Sequence, residues 1–87
     1  LKVLFFARLR EALGQDTLEI ADADLPPTVG ALRALVIAYA RGQSREEFGE
    51  AMEDANVFCA VNRKVVDDNH AVAVGDEVAF YPPVTGG

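Results

Sequence analysis

Very few side chains in this 87-residue sequence are of a type that does chemistry, and their spacing isolates them. His70 is the single histidine, in the polar stretch Asp67-Asp68-Asn69-His70. A metal or catalytic role would need a second soft ligand or an oriented nucleophile nearby, and the neighbouring sequence offers neither. Cys59 is the single cysteine, which excludes an internal disulfide and a cysteine metal cluster within this chain. It lies mid-run in "VFCAV", the pattern of a packed core thiol, and its lack of a partner suits a reducing cytosol. Glu46, Glu47, Glu50 and Glu53 fall along a short helical stretch and read as its solvated face. No G-x-x-x-x-G-K-[ST] or G-x-G-x-x-G stretch occurs, so a nucleotide is not held by those devices.

What remains is "YPPVTGG", Tyr81 to Gly87. Pro82 and Pro83 fix φ and favour an extended exit from whatever precedes them. The six residues from Pro82 to Gly87 reach about 20 Å when extended. Gly86 and Gly87 carry no Cβ and so fit a channel too narrow for other residues. A terminal carboxylate there, with a pKa of about 3.5, is ionised at neutral pH. It is a poor electrophile, so a partner enzyme must activate it, for example as an acyl-adenylate. The expectation is an arm, Pro82, Pro83, Val84, Thr85, Gly86 and Gly87, whose chemistry is its own terminus.

The rest of the chain must position that arm. Eighty-seven residues make one domain, and a chain of this size buries only about 60–65% of its unfolded surface. The apolar fraction of 51% suffices for such a core. The formal charge of −6 argues against nucleic acid or an anionic membrane as partner and is compatible with a basic protein surface. No apolar run reaches transmembrane length, and "LKVLFF" is too short for a signal peptide. A cytoplasmic location is the expectation.

Periodicity places the elements. "KVLFFA" (Lys2–Ala7) is a continuous apolar run too short for a helix and predicts a central strand. "RLREALG" predicts a short helical turn stopped by Gly14. "TLEI" (Thr17–Ile20) predicts a second strand with Leu18 and Ile20 inward. "ADADLPPT" reads as a loop, after which Thr28 caps the main helix to about Arg41. Val29, Leu32, Val36 and Tyr39 form its apolar stripe, with Leu35 beside it. Gly42 is the expected C-cap, and Ser44 with Glu47 the expected capping box of a second short helix to about Met52. "VFCAV" and "VVD" predict a hairpin joined through "NRK", and Gly75-Asp76 turns into a last strand, "EVAFY".

The order β-β-α-(α)-β-β-β, with one principal helix, predicts an α+β two-layer fold. It fits a β-grasp roll, a mixed sheet of about five strands covered by one main helix plus short helices, with the first and last strands parallel. A ferredoxin-like fold would require two long helices in a β-α-β-β-α-β order. The expected division is a β-grasp domain over 1–81 and an extended tail over 82–87. If Val3, Phe5, Val78 and Phe80 face the helix, then Leu4, Phe6, Ala79 and Tyr81 face the other way, joined by Phe58 or Cys59. A one-sided sheet should be polar there. Either the short helices fold over this face, or it is a partner surface.

"KVLFFARLREALG", "AVNRKVV" and "GDEVAFYPPVTGG" closely resemble the small, sulfur-carrying subunits of molybdopterin synthase, the MoaD family, over the length of the domain. The family's fold is the ubiquitin-like β-grasp. The resemblance implies that a ubiquitin-activating-like adenylyltransferase of the MoeB type uses ATP to adenylate the Gly87 carboxylate. A sulfur donor then converts it to a thiocarboxylate. The tail would enter the large synthase subunit, in an assembly of two small and two large subunits, and pass sulfur to cyclic pyranopterin monophosphate; two transfers build the dithiolene of molybdopterin. By motif position Gly87 is the carrier and residues 82–86 the threaded arm. Tyr81, Val65 and Arg10 match interface positions, and Phe6 shares the apolar face. No cofactor is implied on this chain itself. "HAVAVGD" departs from the family pattern, with Val72 where Leu is usual and no Pro. The alternatives are a sulfur carrier of another pathway, such as thiamine biosynthesis, a ubiquitin-like protein modifier, and a plain interaction domain.

Overall fold

The computed structural model describes residues 1–83. Its elements run β1 (Lys2–Phe5), α1 (Ala7–Leu13), β2 (Thr17–Glu19), α2 (Val29–Gly42), α3 (Glu46–Met52), β3 (Phe58–Val61), β4 (Lys64–Val66) and β5 (Glu77–Tyr81). The five strands form one sheet in the order β2-β1-β5-β3-β4. β1 and β5 run parallel at its centre, and every other neighbouring pair is antiparallel. This is the predicted mixed sheet with the first and last strands side by side. A parallel pair needs a crossover connection, and the segment carrying α2 supplies it.

Strand alternation sends Val3, Phe5, Val78, Phe80, Cys59 and Val61 to one face, all of them buried. Against them pack Leu9 and Leu13 of α1, Val29, Leu32, Val36 and Ala40 of α2, and Phe48 and Met52 of α3. Phe5 meets Phe48 edge-to-face at 5.2 Å and stacks on Phe80 at 6.0 Å, distances typical of aromatic pairs that add to area burial. All three helices therefore contribute to a single core on one side of the sheet.

Local signals explain most of the element ends. Gly14 closes α1 in the left-handed conformation at φ 82°, its N–H donating to the Arg10 carbonyl. The Thr28 Oγ1 accepts from the Ala31 N–H at 3.2 Å, capping α2. Asn62 and Arg63, at φ 51° and 70°, form the two-residue link between β3 and β4, the left-handed pair that a twisted hairpin requires.

Four expectations are corrected. Gly42 is the last residue of α2 rather than its C-cap; Gln43 follows it, and Ser44 takes the left-handed turn at φ 61°. Ser44 is thereby used in the interhelical turn and cannot start α3, which begins after Arg45 with no side-chain cap, so the capping box does not form. The buried stripe of α2 ends on Ala40, not Tyr39. Tyr39 lies one residue off the stripe and, like Leu35, remains 40% exposed. The "ADADL" loop holds a single 3-10 turn at Asp22–Asp24, which its alternating Ala and Asp residues did not signal.

The turn into β5 is held by charge. Gly75 adopts φ 89°, and the Asp76 carboxylate accepts from the Ala73 N–H at 2.8 Å and from Asn62 Nδ2 at 2.9 Å. The hydrogen bond from the Ala73 backbone, then that from Asn62, hold the Asp76 carboxyl below its ordinary value of 3.8. A depressed folded-state pKa contributes stability above the unfolded value, lost as pH falls through the folded one. Asp76→Asn, which keeps only one acceptor oxygen, should lower the melting temperature at about pH 6. The difference from the native chain should shrink at a more acid pH, as the Asp76 carboxylate takes up its proton and loses its two hydrogen bonds' preference for the charged form. An equal difference at both pH values, measured by thermal unfolding, would contradict this role.

Candidate partner surface and the root of the tail

The register defines the sheet's other face residue by residue. Thr17, Leu4, Ala79, Ala60 and Val65 form one row from β2 to β4, each opposite the next on the adjoining strand. One rung towards the C-terminal end of β5, Phe58 lies opposite Tyr81, and Phe6 follows β1 on the other side. The Tyr81 ring is sandwiched: Phe6 stacks on it at 4.6 Å and 1°, and Phe58 at 4.9 Å and 9°. At the opposite end the rung holds Lys2 with Glu19 and Glu77. The face thus grades from aromatic, through small aliphatic, to charged.

Neither α1 nor α3 covers this face, since both pack into the core on the other side. Phe6 is 36% and Val65 66% exposed, while the short Ala60 and Ala79 side chains lie sunk between taller neighbours and are buried. Of the alternatives for the third strand, Phe58 belongs to this face and Cys59 to the core. An apolar sheet face left open has the character of an interaction surface. The stacked rings are arranged before any partner arrives, so little side-chain entropy remains to be lost on docking.

β5 ends at Tyr81, and Pro82 and Pro83 follow it, half-buried and outside any strand. The rings therefore mark the point at which the chain leaves the sheet. Val84, Thr85, Gly86 and Gly87, expected to form the remainder of the arm, lie outside the described residues. The structure brings Phe6 and Tyr81 into contact and places Val65 on the same face, two strands from β5 at the sheet edge. Arg10 is exposed on α1, the helix whose N-cap is Phe6. Phe58, which strand alternation alone left undecided against Cys59, completes the ring stack.

Side-chain chemistry elsewhere is weak. Among the described residues no group of three His, Cys, Asp or Glu is placed to hold a metal. The Glu46, Glu47, Glu50 and Glu53 side chains are exposed, and Arg41 pairs with Glu46 and Glu53. Burial pushes the Cys59 thiol up to about 11, so it is not a thiolate at neutral pH and is a poor carrier of sulfur or anything else. Iodoacetamide at about pH 8 should therefore label the native chain many times more slowly than the denatured chain; equal rates followed by intact mass would contradict the burial argument. Among the described residues no helix is long and apolar enough to cross a membrane.

The arrangement is that of the ubiquitin-like β-grasp proteins, a helix-covered mixed sheet from whose central strand the C-terminal segment emerges. The chain belongs to the ThiS family, whose model matches residues 3–87. It is 47% identical over 87 residues to the molybdopterin synthase sulfur carrier subunit of Escherichia coli (strain K12), an alignment covering 100% of this chain and 99% of that one. It is 41% identical over 85 residues, 94% of each chain, to small archaeal modifier protein 1 of Haloferax volcanii. A crystal structure of that modifier, SAMP1, superimposes with a TM-score of 0.71 at 27% identity, covering 99% of this chain and 97% of that one. The fold is also found in a protein–protein complex of subunits 1 and 2 of molybdopterin-converting factor from Helicobacter pylori, with a TM-score of 0.60 at 23% identity and coverage of 99% and 96%.

Proposed function

We propose that this chain is the sulfur-carrying small subunit of a molybdopterin synthase, with Gly87 as the carrier. The observation that carries the reading is the end-to-end match, at 47% identity, with the E. coli sulfur carrier subunit. The structure supports it in two ways: an open apolar face lies at the root of the Pro82-Pro83 exit, and the one thiol is buried and protonated. On this proposal the sulfur travels on the terminus, because the Cys59 thiol is not available for it.

In this reading an adenylyltransferase of the MoeB type docks on the Phe6–Tyr81–Phe58 face and joins the Gly87 carboxylate to AMP, releasing pyrophosphate from ATP. Hydrosulfide supplied by a donor then attacks the acyl carbon, the acyl–phosphate bond breaks, AMP leaves, and the thiocarboxylate remains. The carrier exchanges this partner for the large synthase subunit, two small chains serving two large ones. The arm of residues 82–87 threads into the large subunit, which supplies the catalytic side chains. The thiocarboxylate sulfur bonds to cyclic pyranopterin monophosphate, water cleaves the acyl–sulfur bond so that the terminus returns to a carboxylate, and two such cycles build the dithiolene. Pro82 and Pro83 contribute stiffness, since an arm with fewer conformations loses less entropy on threading. All of this takes place in the cytoplasm, with no cofactor resident on this chain.

Similarity to the archaeal modifier motivates the competing outcome, isopeptide attachment of Gly87 to lysines of other proteins. Incubation with ATP, the activating enzyme and sulfide, followed by intact-mass measurement, separates the two. The carrier should gain the mass difference of one sulfur replacing one oxygen. Its appearance instead in covalent conjugates, with no thiocarboxylate, would overturn the proposal.

A further inference from the structure

Leu35 and Tyr39, one helical turn apart on α2, are large apolar side chains left 40% exposed away from the ring-stack face. They form one wall of a groove of about 390 Å³, with Leu18 and Ile20 of the β2 segment opposite and Glu19 and Asp24 on the rim. Among the described residues β2 is an edge strand, bonded only to β1. Leu1 and Ile20 exchange backbone hydrogen bonds, Leu1 N to the Ile20 carbonyl at 2.7 Å and Ile20 N to the Leu1 carbonyl at 2.8 Å. Antiparallel alternation then turns Leu18 inward as well and points the N–H and C=O of Glu19 away from the sheet. A strand laid along this edge would bond to Glu19 and place alternate side chains over Leu18, against Leu35 and Tyr39.

Charge decides what that strand is. Asp16, Glu19, Asp22 and Asp24 crowd this edge, all exposed. The Leu1 ammonium lies 3.9 Å from Asp22 and Lys2 stands opposite Glu19 across the strand pair, but among the described residues no Lys or Arg side chain comes within ion-pair distance of these four carboxylates, so the edge keeps an acidic excess. A second copy pairing β2 to β2 would set these carboxylates against their own kind, whereas Lys or Arg at the outward positions of a foreign strand would meet them. We propose that the outer edge of β2, with the Leu35–Tyr39 groove, is a docking site for an extended segment of a partner protein in which aliphatic residues alternate with Lys or Arg, bound as a sixth strand. The groove lies on the helix side of the sheet, opposite the ring stack. The basic residues that meet Glu19 would lie at the charged end of the open face, away from the Phe6–Tyr81–Phe58 rings, and the inference does not depend on the carrier reading.

The test is an NMR titration of the ¹⁵N-labelled chain with a heptapeptide alternating Lys or Arg with Val or Ile, beside its Glu counterpart. Resonances of Thr17–Ala21, Leu35 and Tyr39 should shift with the basic peptide, and the Glu19 amide should become protected from exchange. Leu35→Asp with Tyr39→Asp changes only surface positions and should weaken binding at least about tenfold, with the remaining spectrum reporting that the fold is intact. Glu19→Lys with Asp24→Lys should transfer the preference to the acidic peptide. Shifts absent up to about millimolar peptide, or confined to Phe6, Phe58 and Tyr81, would overturn the proposal. So would unchanged affinity in either variant, or a free chain that dimerises with its Glu19 amide already protected.

Discussion

Deletion of Gly86 and Gly87 should abolish sulfur transfer while leaving the melting temperature within experimental scatter of the native chain. The core is assembled from residues between Leu1 and Phe80, and β5, the last element, ends at Tyr81. Glycine has no side chain to add to such a core, but without these two residues the carboxylate is withdrawn by about 7 Å. Reacting groups displaced by even about 1 Å lose orders of magnitude in rate. A chain shortened in this way should unfold normally by calorimetry and give no thiocarboxylate by mass spectrometry. A marked fall in melting temperature would show that the glycines belong to the fold.

Tyr81→Arg should weaken partner binding by about 2–4 kcal/mol, the range for a central aromatic anchor, or roughly thirty- to a thousand-fold in Kd. Tyr81 is the middle ring of the Phe6–Tyr81–Phe58 stack on the open face, opposite in direction to the core residues Val78 and Phe80. Arginine can remain stacked between the two phenylalanines, so the isolated domain should stay folded. It nevertheless presents a charge where the partner must close an apolar contact. Val65→Arg, at the exposed sheet edge, should cost less, as rim positions do. Affinity for both the large subunit and the activating enzyme, measured by calorimetry with each variant, checks this; Tyr81→Arg binding both as the native chain does would remove the ring stack from the interface.

The sheet was legible in the sequence because alternation is a strict period. Val3, Phe5, Val78 and Phe80 had to share a face, and so Leu4, Ala79 and Tyr81 had to share the other. The stretch "AVNRKVV" gave the hairpin, and "GDEV" the last turn. Helix ends were read less well, because a glycine can stop a helix or simply sit in one. Gly14 is left-handed and stops α1, whereas Gly42 is helical and the turn passes to Ser44. Tyr39 was misplaced for a related reason: Ala40 is small enough to fill the inner position and leaves the larger ring outside.

The site divides in the same way. Tyr81 and Phe6 were legible from alternation, but the choice of Phe58 over Cys59 depends on the exact register of β3 against β5, which no local signal fixes. Arg10 rests on resemblance alone, and the structure sets it exposed on α1. The groove beside β2 was invisible because it arises from two segments far apart in sequence, Leu18–Asp24 and Leu35–Tyr39, each ordinary alone.

The central claim is that the reactive group is the Gly87 carboxylate, and one added alanine tests it most directly. Such a residue moves the carboxylate by roughly 3.5 Å and puts a Cβ where the arm is thinnest, leaving the Phe6–Tyr81–Phe58 face untouched. The extended chain should fold, bind the activating enzyme with native affinity, and compete with the native chain for it. The measurement is ATP–pyrophosphate exchange by that enzyme with each chain at saturation. The account predicts exchange with the native chain and none above background with the extended one; equal exchange would show that Gly87 is not the substrate and that the carrier function is wrongly assigned.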